Sequence, residues 1–106
     1  GILIIGSGGV VHNLRMITEE TDEFAWAKQF DEEIIRLIQI KDYESIIKIK
    51  QLNPSGGAKA IPTPDHFFPL LYSLGAVEED DEVTVFTEKG QFGSLTLTGY
   101  RFSELN

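Results

Sequence analysis

The chain opens with four aliphatic residues in a row, Ile2-Leu3-Ile4-Ile5, and breaks at once into Gly6-Ser7-Gly8-Gly9. A short continuous run of mostly β-branched residues closed by a turn signal reads as a strand buried on both faces. Strands of that kind sit at the centre of an α/β sheet with helices on either side. The glycines permit positive φ and close approach of backbone or ligand. Residues 10–17 then leave as a short helix carrying His12, Asn13 and Arg15. His12 is thereby placed at the carboxyl end of a central strand, where open α/β sheets hold their sites.

With 106 residues, 42% of them hydrophobic, the chain has material for one small domain. A chain that opens on Gly1 with a strand from its second residue reads as a piece of something longer, lacking an N-terminal partner segment. The 17 acidic residues outnumber 9 basic ones, for a net charge of −8, which repels phosphate and argues against nucleic acid as a partner. The sequence contains no cysteine, so disulfides, thiolate nucleophiles and zinc ribbons drop out, and a cytoplasmic setting suits the composition. No apolar run approaches the roughly 20 residues of a membrane span, and the start lacks a basic signal-peptide region.

Downstream the period changes. Asp22 is a candidate N-cap, and Phe24, Ala27, Phe30, Ile34, Leu37 and Ile38 approximate a helical apolar stripe. Asp42 caps a second helix that ends by Asn53-Pro54. Residues 53–60 have loop chemistry, and Pro62 and Pro64 hold the backbone extended. Pro64 then starts a third helix behind a Thr63 cap, stopped by Gly75, with His66 in its first turn and some distortion at Pro69. Residues 83–86 and 95–102 have strand composition around a turn at 89–93, as a terminal hairpin or as two non-adjacent strands of one sheet.

Three site readings compete. The dinucleotide fingerprint G-x-G-x-x-G begins at Gly6 and Gly8 but meets Val11 where its last glycine belongs, and a helix follows where a second strand should. The acidic run 78–82 lacks the alternating ligand spacing and central glycine of a calcium loop, and reads as a solvated turn. His12 and His66, the only histidines, both stand at junctions after Gly- or Pro-controlled backbone, and either can be an acid/base or a metal ligand as well as a hydrogen-bonded structural residue. Two ligands fall short of the three protein ligands that a catalytic mononuclear site generally needs.

Four stretches, "GSGGVVHNL", "FAWAKQFDEEI", "PTPDHFFPLLYSLGA" and "GSLTLTGYRF", in that order, resemble the C-terminal half of class III extradiol ring-cleavage dioxygenases, in particular the DOPA-extradiol-dioxygenase-like branch. The resemblance covers essentially the whole chain. It implies that residues 1–106 are the C-terminal portion of one α/β catalytic domain, with a central, mostly parallel or mixed sheet flanked by helices. It also implies a mononuclear Fe(II) site, filled by zinc in some bacterial relatives, with two histidine ligands in an N-terminal half that this chain lacks. His66 in "PTPDH" matches the family's C-terminal metal ligand. His12 in "GSGGVVHN" matches the histidine treated as proton-transfer catalyst and sometimes drawn as a metal ligand. The implied reaction opens the ring of a catechol with O₂, and the implied partners are that small molecule, O₂ and the N-terminal half. A member of the same superfamily without catalysis, a metal- or peptide-binding module, is the rival expectation.

Overall fold

The computed structural model describes residues 1–104. Its main helix, α1, spans Ala25–Gln39 and turns Ala27, Phe30, Ile34, Leu37 and Ile38 inward, as the three- and four-residue spacing requires. Its start differs from the expectation at Asp22. Phe24 is the N-cap and makes no side-chain cap; its N–H donates to the carbonyl of Gly93 at 2.7 Å. A tertiary backbone contact therefore fixes the entry of the chain, and Asp22 lies two residues before the cap, its carbonyl accepting from the Gly93 N–H. At the other end Lys41 takes a left-handed φ of 60° and Asp42 N–H reaches back to the Leu37 carbonyl, a helix stop.

Asp42 caps the next helix as expected: Oδ1 accepts from the Ser45 N–H at 3.2 Å and Oδ2 from the Ser45 hydroxyl at 2.7 Å. That helix divides at Lys48 into α2, Tyr43–Ile47, and α3, Ile49–Leu52. Residues 53–60 are not a loop. They form α4, Pro54–Ala60, because Asn53 Oδ1 accepts the Gly56 N–H and Pro54 occupies a first-turn position that needs no donor. Gly57 lets this helix lie against α3: a Cβ there would stand 3.0 Å from the Lys50 Cα. Capping and close packing outweigh the low helix propensity of the two glycines.

The third expected helix starts later than Pro64. An unbroken helix from Pro64 would require Pro69 to donate to the Asp65 carbonyl, which proline cannot do. Instead Phe67 and Phe68 N–H both close a turn onto the Pro64 carbonyl, and α5 runs Phe68–Gly75 with Pro69 harmless in its first turn.

The strands correct the sheet expectation. β1, Asp81–Phe86, pairs antiparallel with β4, Gly99–Glu104, while β2, Gly90–Gln91, pairs antiparallel with β3, Leu95–Thr96. The sheets are two separate two-stranded pairs, and the one parallel contact among the described residues is the isolated bridge between Glu23 and Gly93. Residues 95–102 break at Leu97 and Thr98, where the chain leaves β2 to join β1. Residues 2–5 form no strand; Ile2 is 93% and Leu3 83% exposed. A β-branched run is a strand only when another backbone pairs with it, and none does so among the described residues. Residues 10–17 likewise are mostly extended, with a single 3-10 turn at Leu14–Met16.

The core gathers the inner faces of α1 to α4 with Val10 and Val11, and Ile34, Ile38, Ile46 and Ile61 are fully buried. Ile34→Ala should lower unfolding free energy by about 2–5 kcal/mol, read as a shift of the urea midpoint at unchanged slope. Asn53→Ala should cost about 1 kcal/mol in the same measurement, whereas a loop at 53–60 would leave the midpoint in place.

Candidate functional site

His12 sits in an extended segment held on both sides. Its N–H donates to the Ala60 carbonyl at the end of α4 (2.9 Å), and it forms a bridge with Leu95 of β3. Next to it Asn13 donates from its backbone to Ser94 O and from Nδ2 to Lys59 O, while Ser94 Oγ donates to Asn13 O at 2.5 Å. His66 lies in the turn before α5, and its carbonyl accepts the Gly9 N–H at 3.0 Å. These contacts bring the two imidazoles together, with ring centroids 4.8 Å apart and planes tilted by 45°.

The glycines act by absence of bulk. A Cβ on Gly8 would fall 2.2 Å from the His66 carbonyl oxygen, and one on Gly6 2.5 Å from that of Pro69. Neither has a positive φ, so of the two uses expected of these glycines it is close backbone approach, to the start of α5, that they serve.

The two rings differ in environment. His12 is 7% exposed, with Nδ1 2.9 Å from Gly9 O and Nε2 3.0 Å from Thr63 O. Carbonyls only accept, so a neutral ring satisfies one of these contacts and a doubly protonated ring satisfies both. The His66 side chain is 53% exposed, its Nε2 3.4 Å from Asp65 Oδ2. The Thr63 hydroxyl holds the Asp65 carboxyl below its usual range, and charge on His66 and His12 acts in the same direction. His66 borders a cavity of about 330 Å³ whose wall includes Gly8, Leu70, Leu97, Thr98 and Tyr100; His12 is not part of that lining.

Residues 1–103 match the family described as the catalytic LigB subunit of aromatic ring-opening dioxygenase. The chain belongs to this family. It is 36% identical over 100 residues to the 4,5-DOPA dioxygenase extradiol of Escherichia coli (strain K12), a match covering 92% of this chain and 37% of that protein. Identity to the Portulaca grandiflora enzyme of the same name is 31% over 106 residues, covering 99% of this chain and 39% of that one. A crystal structure of an uncharacterized protein from Escherichia coli K12 superposes with a TM-score of 0.73 at 32% identity, over 89% of this chain and 40% of that one. The chain thus spans about two-fifths of the length of these LigB-family relatives.

Family members typically use Fe(II). The donors present fit part of such a site. His66 offers an accessible imidazole beside a carboxylate, whereas both His12 nitrogens face carbonyls. Among the described residues no group of three or more His, Cys, Asp or Glu could hold a metal ion.

Reading the sequence missed Asp31. It lies four residues after Ala27 and three before Ile34, in phase with the buried stripe of α1, and that phase is a signal the sequence does carry. Its carboxyl is buried, with Oδ2 accepting the Thr98 hydroxyl at 2.5 Å and Oδ1 lacking a partner among the described residues. Burial raises its pKa above 3.8, against the pull of the Thr98 hydrogen bond and with a further push from Glu23 and Glu88. Burial also pushes up the Tyr100 phenol, whose oxygen likewise has no partner among the described residues.

Two outcomes follow for this site. A raised carboxyl pKa means the folded chain binds the proton more tightly than the unfolded one, so Asp31 makes stability fall as pH rises from 3.8 through the folded-state value. Asp31→Asn should flatten that part of the pH dependence; parallel melting curves for the two proteins from about pH 4 to about pH 7 would contradict it. Gly8→Ala forces backbone apart at His66 and should cost at least about 1–3 kcal/mol, with the amide signals of Gly9 and His66 displaced together in NMR spectra.

Proposed function

We propose that this chain is the C-terminal portion of an extradiol dioxygenase that opens the ring of a DOPA-like catechol with O₂. In this reading His66 is a ligand of Fe(II) and His12 is the general acid/base. The observation that carries it is the meeting of the two imidazoles at 4.8 Å beside a cavity, in a chain of a ring-opening dioxygenase family. The names of the curated relatives support DOPA as the substrate class.

Fe(II) supplies a Lewis acid and a template on which catechol and O₂ meet. Imidazole suits Fe(II) and zinc alike, so zinc can occupy the same ligands. His66 contributes one imidazole and sits against the cavity wall, and a reducing cytoplasmic setting would keep the iron ferrous. The remaining ligands come from the N-terminal half of the whole protein. A catechol must shed protons to chelate and regain one later, and His12 is the group within reach of His66 to move them. The Gly9 carbonyl can accept from Nδ1–H, which keeps the ring in place whether or not Nε2 carries a proton. To serve the substrate Nε2 must exchange the Thr63 carbonyl for the catechol oxygen. Leu70 and Leu97 give the cavity wall an apolar part against which an aromatic ring can lie.

In the whole protein loaded with Fe(II), His66→Ala should lose bound metal and activity together. His12→Ala should keep its metal while ring cleavage, followed by the yellow product, drops about 10²–10⁴-fold. The isolated chain should bind metal weakly and cleave nothing. Metal content unchanged in both variants, with no catechol turned over by the wild type, would replace this reading with a metal- or peptide-binding module.

A further inference from the structure

A buried aspartate on an apolar helix face is a poor source of stability, because a well-packed apolar residue there would avoid the desolvation. Asp31 of α1 nevertheless sits among Ala27, Ile34 and Ile38. Its contacts lead toward His12. Oδ2 takes the hydroxyl proton of Thr98 at 2.5 Å, in the step between β3 and β4. Thr96, two residues earlier in β3, is buried. Its Oγ1 accepts the Val11 N–H at 3.3 Å, and its N–H donates to Val11 O at 3.1 Å. Val11 is fully buried and immediately precedes His12.

We propose that Asp31 is a positioning residue for His12: its hold on the Thr98 hydroxyl sets the end of β3 against α1, and β3, through Thr96, in turn fixes the backbone at Val11 and the placement of the His12 ring. The same anchor holds Thr98 and, beside it, Leu97 in the wall of the cavity that His66 borders. The carboxyl touches neither metal nor substrate and acts only through the Thr98 hydroxyl. Only the kinetic consequence rests on the acid/base reading of His12; the positioning itself does not.

The test compares Asp31→Leu and Asp31→Asn with wild type in the whole protein, by amide exchange at Val11, by the ¹H–¹⁵N ring spectrum of His12 and by steady-state kinetics with DOPA. In Asp31→Leu the melting temperature should hold or rise. Val11 exchange should nevertheless quicken about ten-fold or more, and the His12 ring signals should move. kcat should fall with KM within two-fold, and Asp31→Asn, which keeps shape and an acceptor, should recover most of each effect. Should Asp31→Leu not fold, Thr98→Val removes only the hydroxyl held at Oδ2 and should loosen Val11 in the same way. Unaltered Val11 exchange and His12 signals in the folded variants would overturn the proposal. A wild type without ring cleavage defeats the dioxygenase reading and leaves exchange and ring signals to decide the positioning.

Discussion

Everything around the two histidines depends on a backbone contact with no side chain in it: the Gly9 N–H on the His66 carbonyl, with Gly8 too close to that oxygen to carry a Cβ. This contact docks residues 6–9 on the start of α5. It also presents the Gly9 carbonyl to His12 Nδ1, so one short glycine stretch holds the main chain of one histidine and the ring of the other. Thr63, in the proline-stiffened segment before His66, supplies the carbonyl for Nε2. The ring of His12 is therefore gripped by backbone from both junctions, and prolines and glycines set that geometry more than any polar side chain does. Such a grip costs little entropy at the site, because prolines have already restricted the backbone on one side.

Local signals were legible where a segment's own residues decide its form. The stripe of α1 and the Asp42 cap could be read directly, since the carboxylate and the periodicity act within a few residues. Residues 53–60 misled because glycines argue for a loop, while the Asn53 cap and the fit of Gly57 on Lys50 are what make α4. Strand pairing was the least legible. Residues 83–86 do pair with the end of the 95–102 segment, as β1 with β4, but nothing in their composition announces the β2–β3 pair inserted between them. Likewise the aliphatic run at 2–5 carries strand composition without a neighbouring backbone to pair with.

For the site, the two histidines could be singled out from their junctions, but their approach to 4.8 Å depends on α4, whose end supplies the Ala60 carbonyl to His12. A reader who takes 53–60 as a loop has no element to place them. Asp31 was hidden for the opposite reason: its position is plainly in the apolar phase of α1, yet an acidic residue in a helix beginning "FAWAKQFDEE" blends with its charged neighbours.

The exposure of residues 2–5 and the shortage of metal donors have one physical account under the proposed reading. Two imidazoles cannot make a catalytic mononuclear site, which needs three protein ligands and open positions. An aliphatic run that is 93% exposed at Ile2 cannot be stable against water unless something covers it. These residues line a groove of about 580 Å³ together with Val77 and Phe102, on the same face of β4 and α5 that continues into the His66 cavity through Gly6, Ser73 and Tyr100. A segment that paired with 2–5 would thus lie along a groove that opens onto His66. Covering the aliphatic run and completing the donor set would then be a single event, with metal affinity rising as the run leaves solvent.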